Sequence, residues 1–235
     1  ILATSELTKA RFIRLMQAAT NPSLLKTPLE NFFRDQGLSN ELYIDDSDII
    51  ESILKYNELE FVPEKFRIVK KIVQNLICQN EKVIIWGTFV RNLLELKNFL
   101  SDNDIKSELL YGAVPTETED TPEDVMTREK IIREFHNPNS DFKVIIANPF
   151  AVSESISLHK ACHNAIYLER TFNASNYIQS KDRIHRVGLK EGVVTNYHFL
   201  LSENSIDSTI HSRLVEKEKR MLELIESQEI PLISE

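Results

Sequence analysis

The sequence predicts an α/β protein, a mostly parallel sheet with helices on both faces. Three observations carry that reading. Residues 82–86 (Lys-Val-Ile-Ile-Trp) and 143–147 (Lys-Val-Ile-Ile-Ala) are short unbroken apolar runs, the pattern of strands buried on both faces. Ahead of the first run apolar residues recur at helical spacing, where Phe66, Val69, Ile72, Val73, Leu76 and Ile77 form one stripe over 64–79. Strand and helix then alternate along the chain, which is the order that builds a sheet covered on both sides.

The remaining elements follow in order. Residues 1–25 read as a helix, because Leu7, Ala10, Phe12, Leu15 and Ala18 recur at helical spacing until Asn21-Pro22 stops the run. From 26 to 60 the text is polar and acidic, with Gly37 and the run Asp45-Asp46-Ser47-Asp48, and reads as a connector with a short helix rather than core. A boundary falls at Val62-Pro63, and Pro63 sits where a helix start tolerates it. Gly87-Thr88-Phe89 turns the 82–86 strand into a helix over 90–100. Leu109-Leu110-Tyr111-Gly112 predicts a short strand ending at a glycine, 116–121 a loop rich in Thr and Glu, and 126–136 a helix, with a turn at 137–141 before the 143–147 strand. Three metal-capable side chains, His159, Cys162 and His163, lie in five residues, but the sequence offers no second pair, so no metal is expected and a helix leading into a strand at 164–168 is preferred. Residues 193–200 alternate as a further strand. Residues 204–226 form a charged amphipathic helix with Ile206, Ile210, Leu214 and Leu222 on one stripe.

Composition bounds the function. With 235 residues, 42% hydrophobic and 27% charged, the chain is long enough for one large domain or a domain with appendages. Two well-separated cysteines, Cys78 and Cys162, fit a reducing compartment rather than a disulfide framework. No apolar run approaches the roughly 18 residues of a membrane span, and the first residues lack a basic flank or cleavage pattern, so a soluble protein without a membrane partner is expected. A start at Ile1 rather than Met reads as a fragment. Thirty-six acidic against 28 basic side chains give a net charge of −8, which argues against nucleic-acid binding by bulk charge and leaves room only for local contacts.

Against that acidic background stands a basic cluster. Residues 179–188 bring Arg183, His185 and Arg186 together before Gly188, and at helical spacing Gln179, Asp182, Arg183 and Arg186 share one face or its edge. The order Gln-x-x-Asp-Arg-x-His-Arg-x-Gly resembles the sixth motif of the Swi/Snf-type branch of superfamily-two helicases, ATP-driven translocases on double-stranded DNA. The resemblance implies a second RecA-like lobe whose arginines reach across a cleft to ATP held by a first lobe. Arg183 and Arg186 would then be arginine fingers, oriented by Gln179 and Asp182. The alternative is that these arginines only pair with nearby carboxylates on a solvated helix.

Further stretches resemble the same family. Residues 20–25 (Thr-Asn-Pro-Ser-Leu-Leu) are similar to its "CNHPxLL" segment, although a helix end and turn would read the same way. Residues 86–89 resemble its fourth motif, which implies that Gly87, Thr88 and the unpaired amides at the following helix start face a DNA phosphate; the alternative is a plain strand-to-helix turn with Phe89 in the core. Tyr111-Gly112 resembles its "Y/DG" and implies that Gly112 faces DNA, and Arg128, Ile131, Ile132, Arg133 and Phe135 resemble its "R..I..F" element. Residues 148–158 stand where the family has the glycine-rich fifth motif, but Ala151, Ser153 and Ser155 replace glycines. Ser153 and Ser155 would then bind DNA by hydroxyl, or the loop binds more weakly; a serine-rich capping turn is the other reading. Residues 168–173 stand in place of "D.WNP", which implies that Glu169 and Asn173 support the arginines.

The resemblance covers about residues 11–25 and 63–226. It implies a helical segment and connector at 1–62, a RecA-like helicase C-terminal lobe at 63–203, and a helical extension at 204–235. No G-x-x-x-x-G-K-[ST] occurs, so ATP with Mg2+ would be bound mainly by an N-terminal RecA-like lobe of the same polypeptide, and this chain would be part of a motor. Double-stranded DNA is the second implied partner. A degenerate lobe serving as a non-catalytic protein or nucleic-acid binding module is the alternative. His185-Arg186-Val187-Gly188-Leu189, where remodellers have "HRIGQ", leans toward a bacterial, cytoplasmic protein; a eukaryotic one would be nuclear.

Overall fold

The computed structural model describes residues 2–26, 47–59, 61–151, 156–185, 189 and 192–226. Arg186, Gly188, Ser153 and Ser155 lie outside them, as do residues 27–46 of the 26–60 connector.

Five strands form one parallel sheet: β1 (Val83–Trp86), β2 (Ser107–Leu110), β3 (Val144–Ala147), β4 (Asn164–Tyr167) and β5 (Asn196–Phe199), in the order β2-β3-β1-β4-β5. The two unbroken apolar runs sit near the middle, with Val83 opposite Val144 on one side and Asn164 on the other. Being central, their residues are buried towards both faces. Val83, Ile85, Val144, Ile146 and Ile166 pack on Phe66, Val69 and Val73 of α3 (Glu64–Cys78) and Leu93, Leu96 and Leu100 of α4 (Val90–Ser101). Ile84, Trp86, Ile145, Ala147 and Tyr167 point the other way, into a core shared with α1 (Leu2–Thr20), α5 (Arg128–His136) and α7 (Ile206–Glu226). Burying each such Ile or Leu contributes about 1.5–3 kcal/mol, so this two-sided burial is the main favourable term.

Two further helices complete the chain: α2 (Ser47–Glu58), the short helix expected in the connector, and α6 (Ala174–Lys181). Among the described residues no helix is long and apolar enough to cross a membrane.

Three expectations are corrected. Helix α1 exists, but Ala10, Ile13 and Met16 enter the core while Phe12 and Leu15 are exposed. The period was legible and the face was not, because Phe12 packs edge-on against Phe172 at 5.5 Å instead of entering the sheet core. Of the expected apolar stripe on α7, Ile210 and Leu214 are buried and Leu222 is exposed. Residues 159–161 form a turn, not a helix, closed by the Cys162 amide on the Leu158 carbonyl at 2.9 Å. The Cys162 thiol is fully buried and burial pushes it up to about 12.

The C-terminal helix is fixed at its first turn by a buried ion pair. Lys65 Nζ lies 2.6 Å from Asp207 Oδ2, with both side chains almost fully buried. The ammonium also donates to the Leu168 carbonyl at 3.0 Å, and the carboxylate accepts the Ser202 amide at 3.0 Å. One pair thus joins α3, the end of β4 and α7. Farther along, Arg170 is buried among Tyr167, Tyr177 and Phe199, 4.4 Å from the last ring centroid, and donates to His211 Nδ1 at 2.7 Å. Because a guanidinium can only donate, His211 holds its proton on Nε2.

Asp207→Ala strands a buried ammonium and should destabilise the fold by about 3–5 kcal/mol, whereas the double change Lys65→Met with Asp207→Leu should recover most of that loss. Denaturant midpoints of the three proteins decide it; a double variant no better than the single one would show the pair to be indispensable.

Candidate functional site

The loops that follow the strands carry the site, as expected where an open parallel sheet leaves a crevice at its carboxyl ends. Their centre is Glu169, two residues beyond β4 and 4% exposed. Its Oε1 accepts the amides of Thr88 at 3.1 Å and Phe89 at 3.2 Å, which start α4. Phe89 has no side-chain cap of its own to offer, so a carboxylate from another strand supplies the acceptor and the negative charge that a helix N-terminus favours. Oε2 accepts the Thr20 hydroxyl at 3.1 Å and is 3.5 Å from Asn92 Nδ2. Asn92 in turn accepts from Asn21 Nδ2 at 3.0 Å, and Asn21 also donates to Glu95 at 2.7 Å. The 20–25 segment is therefore hooked onto α4 by its own side chains.

This network corrects the reading of the fourth motif. Thr88 is 4% exposed, and the amides expected to face a phosphate are occupied by Glu169. Gly87 is buried because the chain must pass close by: a Cβ there would lie 2.5 Å from Leu93 Cδ2 and 3.3 Å from Glu169 Oε1. Phe89 is core. Glu169 is engaged by α4 and Thr20, and Asn173 caps α6, its Oδ1 accepting the Asn176 amide at 3.2 Å. Burial raises the Glu169 carboxyl above its ordinary 4.5, opposed by Lys65, the two amides and the Thr20 hydroxyl.

The sixth-motif stretch begins on α6 and leaves it. Gln179 is on the helix and exposed; Asp182 is the C-cap and exposed. Arg183 follows in a turn, so the shared helical face expected for 179–186 ends at Lys181. Ile184, fully buried, anchors that turn. The Arg183 carbonyl accepts the Leu158 amide at 2.9 Å, and Nη1 donates to the Ile156 carbonyl at 3.2 Å. Helix α6 is braced from behind: Lys181 pairs with Glu218 of α7, and the Tyr167 hydroxyl meets Ser180 Oγ at 2.8 Å.

Two residues from the resembling stretches organise these loops in ways their motifs did not imply. Asn148, after β3, donates to the Thr88 carbonyl at 2.9 Å and accepts the Phe150 amide at 2.9 Å, while its own amide reaches the Leu110 carbonyl at 2.9 Å. Arg128 reaches carbonyls in the loops after β2 and β3. Gly112, in the first of these, is exposed with open space around it. Among the described residues no group of three or more His, Cys, Asp or Glu side chains could hold a metal.

The family described as helicase conserved C-terminal domain matches residues 64–188. The chain belongs to this family. Its relatives are of Swi/Snf type. The ATP-dependent helicase FUN30 of Saccharomyces cerevisiae is 30% identical over 148 residues, 63% of this chain and 12% of that protein. The ATP-dependent helicase fft1 of Schizosaccharomyces pombe is 29% identical over 132 residues, 56% of this chain and 12% of that protein. The solved C-terminal part of the Fun30 ATPase domain superposes with a TM-score of 0.54 at 29% identity, over 65% of this chain and 45% of that one. The RecA-like lobe is therefore the fold. The helicase C-terminal lobe described here spans about an eighth of the length of these curated relatives. They are eukaryotic, and the leaning toward a bacterial relative finds no support.

For this helicase lobe, Glu169→Ala should cost on the order of 3 kcal/mol, because it strands the Thr88 and Phe89 amides and the Thr20 hydroxyl. Glu169→Gln, which keeps one carbonyl acceptor, should cost less. Since the folded carboxyl holds its proton to higher pH than the unfolded one, its contribution is present in full below 4.5 and is lost as pH rises through the folded value. Urea midpoints measured from the acid side of 4.5 to neutrality should show this decline in the wild type and not in Glu169→Gln; parallel profiles would overturn the assignment.

Proposed function

We propose that this chain is the C-terminal lobe of an ATP-dependent double-stranded DNA translocase, with residues 63–203 as the lobe proper. Arg183 and Arg186 serve as arginine fingers toward ATP with Mg2+ held mainly by an N-terminal RecA-like lobe of the same polypeptide. The observation that best supports this is the seating of Arg183. Ile184 in the core, the Leu158 amide and the Ile156 carbonyl fix the turn that carries it, while Gln179 and Asp182 beside it stay exposed. A guanidinium on a rigid turn stabilises charge on a transferring phosphoryl group without reorganising when the lobes close.

The nucleotide supplies the phosphoryl group; this chain's residues supply orientation and positive charge. Gln179 and Asp182 border the arginine and hold it for that approach. The sequence has no Gly-rich phosphate cradle, so the lobe contributes to hydrolysis without being able to perform it. On the DNA side we assign backbone contact to Gly112, Ser153 and Ser155. Gly87 and Thr88 act there by shaping the turn, since both are buried.

The purified 235-residue chain should fold and hydrolyse no ATP, with or without DNA; DNA-stimulated turnover by it would sink this reading. In a two-lobe protein carrying this chain, Arg186→Ala should lower DNA-stimulated hydrolysis by a factor on the order of 10³ while leaving DNA binding nearly unchanged. Arg183→Ala should act likewise, with a small loss of stability from the missing Ile156 contact. Lysine at either position should not rescue, because a point ammonium cannot reproduce the planar fork. Full turnover with a much lower melting temperature in Arg186→Ala would instead make the pair structural and favour a non-catalytic binding module.

A further inference from the structure

Arg128, the first residue of α5, gathers four backbone carbonyls onto one guanidinium. Nε donates to Val114 at 2.9 Å, Nη2 to Tyr111 and Gly112 at 3.2 Å each, and Nη1 to Ala151 at 3.0 Å. Tyr111, Gly112 and Val114 belong to the loop after β2, Ala151 to the loop after β3. These strands are neighbours, so ladder hydrogen bonds fix their spacing as far as Leu110 and Ala147. One bond beyond the ladder, from the Asn148 amide to the Leu110 carbonyl, carries the pairing slightly further. Past it, the planar group of Arg128 spans the gap.

The chemistry suits a cation of this shape. Guanidinium donors leave in several in-plane directions and can serve carbonyls on opposite sides, which three donors on a single ammonium nitrogen cannot. Carbonyl oxygens drawn onto Arg128 are also not presented to a polyanion, which they would repel. Each charge-assisted bond is stronger than a neutral one, so the two loops are held as one unit. The Gly112 side of that unit is exposed.

We propose that Arg128 is a positioning residue for nucleic-acid binding: it sets the loop at 111–114 against the loop at 148–151 so that successive phosphates of one duplex meet both. This rests on the reading of these loops as the DNA side of the lobe. Arg128 acts through the loops and does not touch phosphate itself.

The test compares wild type, Arg128→Ala and Arg128→Lys in the full chain. Hydrogen exchange followed by mass spectrometry should show 111–114 and 148–151 losing protection together in both variants. Affinity for a short labelled duplex, measured by anisotropy at several salt concentrations, should fall on the order of fivefold to tenfold, because a loosened site misplaces its contacts. The slope of log affinity against log salt should stay unchanged, since no phosphate contact is lost. A slope smaller by about one would mean that Arg128 meets a phosphate directly, and would overturn the positioning role. Unchanged affinity, loosening of only one loop, or full rescue by lysine would overturn it as well. Should Arg128→Ala fail to fold, Arg128→Lys carries the same expectations, keeping the charge without the fork. If the wild type binds no duplex even at low salt, the nucleic-acid reading itself fails, and the positioning role with it. Joint loosening of the loops would then leave Arg128 as a purely structural clamp.

Discussion

A single buried carboxylate sets the geometry on which the rest of this lobe depends. Glu169 sits where β4 ends and takes donors from the turn after β1 and from Thr20 at the end of α1. Withdrawing an ionisable group from water costs several kcal/mol unless partners replace the water, and here two amides and a hydroxyl do so, with Asn92 at the margin of the same oxygen. The consequence is mutual dependence. Helix α4 has no local cap without Glu169, and Glu169 would not be tolerated in the core without α4's amides. Gly87 completes the arrangement, because any side chain there would collide with Leu93 and crowd the carboxylate.

The same logic extends to the neighbouring residues, where charge is again buried only with its partner. Lys65 and Asp207 join α3 to α7, and the Leu168 carbonyl accepts from that ammonium one residue before Glu169. Residues 168–170 therefore gather three anchoring interactions in sequence: a carbonyl for Lys65, a carboxylate for α4, and the Arg170 guanidinium stacked on Phe199 and bonded to His211. Helix α7 is thereby tied to the sheet at its start. Through Glu218 it also steadies α6, whose last residue, Lys181, lies two positions from Arg183.

What was legible in the sequence was local or periodic. Residues 83–86 and 144–147 announced themselves because a strand buried on both faces needs an apolar side chain at every position, and α3 and α4 because one stripe of each must meet the sheet. The face of α1 was harder to read. Phe12 and Leu15 look like core by hydrophobicity, yet the sheet core takes the smaller Ala10 and the neighbouring Ile13 and Met16, while Phe12 packs on Phe172. The Glu169 network was illegible for a stronger reason. Its members are separated by as many as 149 positions, and neither a glutamate after a strand nor an asparagine in a helix signals a partner that far away. Resemblance placed Gly87, Thr88 and Arg183 on meaningful loops, but it could not say that the amides beside Thr88 were already in use.

The positions of two arginines bear on how nucleotide and DNA could influence each other in such a lobe. Arg128 holds the Ala151 carbonyl at 3.0 Å, and Arg183 holds the Ile156 carbonyl at 3.2 Å. Both carbonyls belong to residues 148–158, the stretch in place of the glycine-rich fifth motif, on either side of 152–155. One anchor comes from the residue proposed to set the DNA-side loops, the other from the arginine proposed to face the nucleotide. Hydrogen bonds from charged groups contribute about 1.5–3 kcal/mol each, comparable to the 1–3 kcal/mol by which coupled binding sites typically influence one another. A change in what Arg183 donates to is therefore comparable in size to such a coupling.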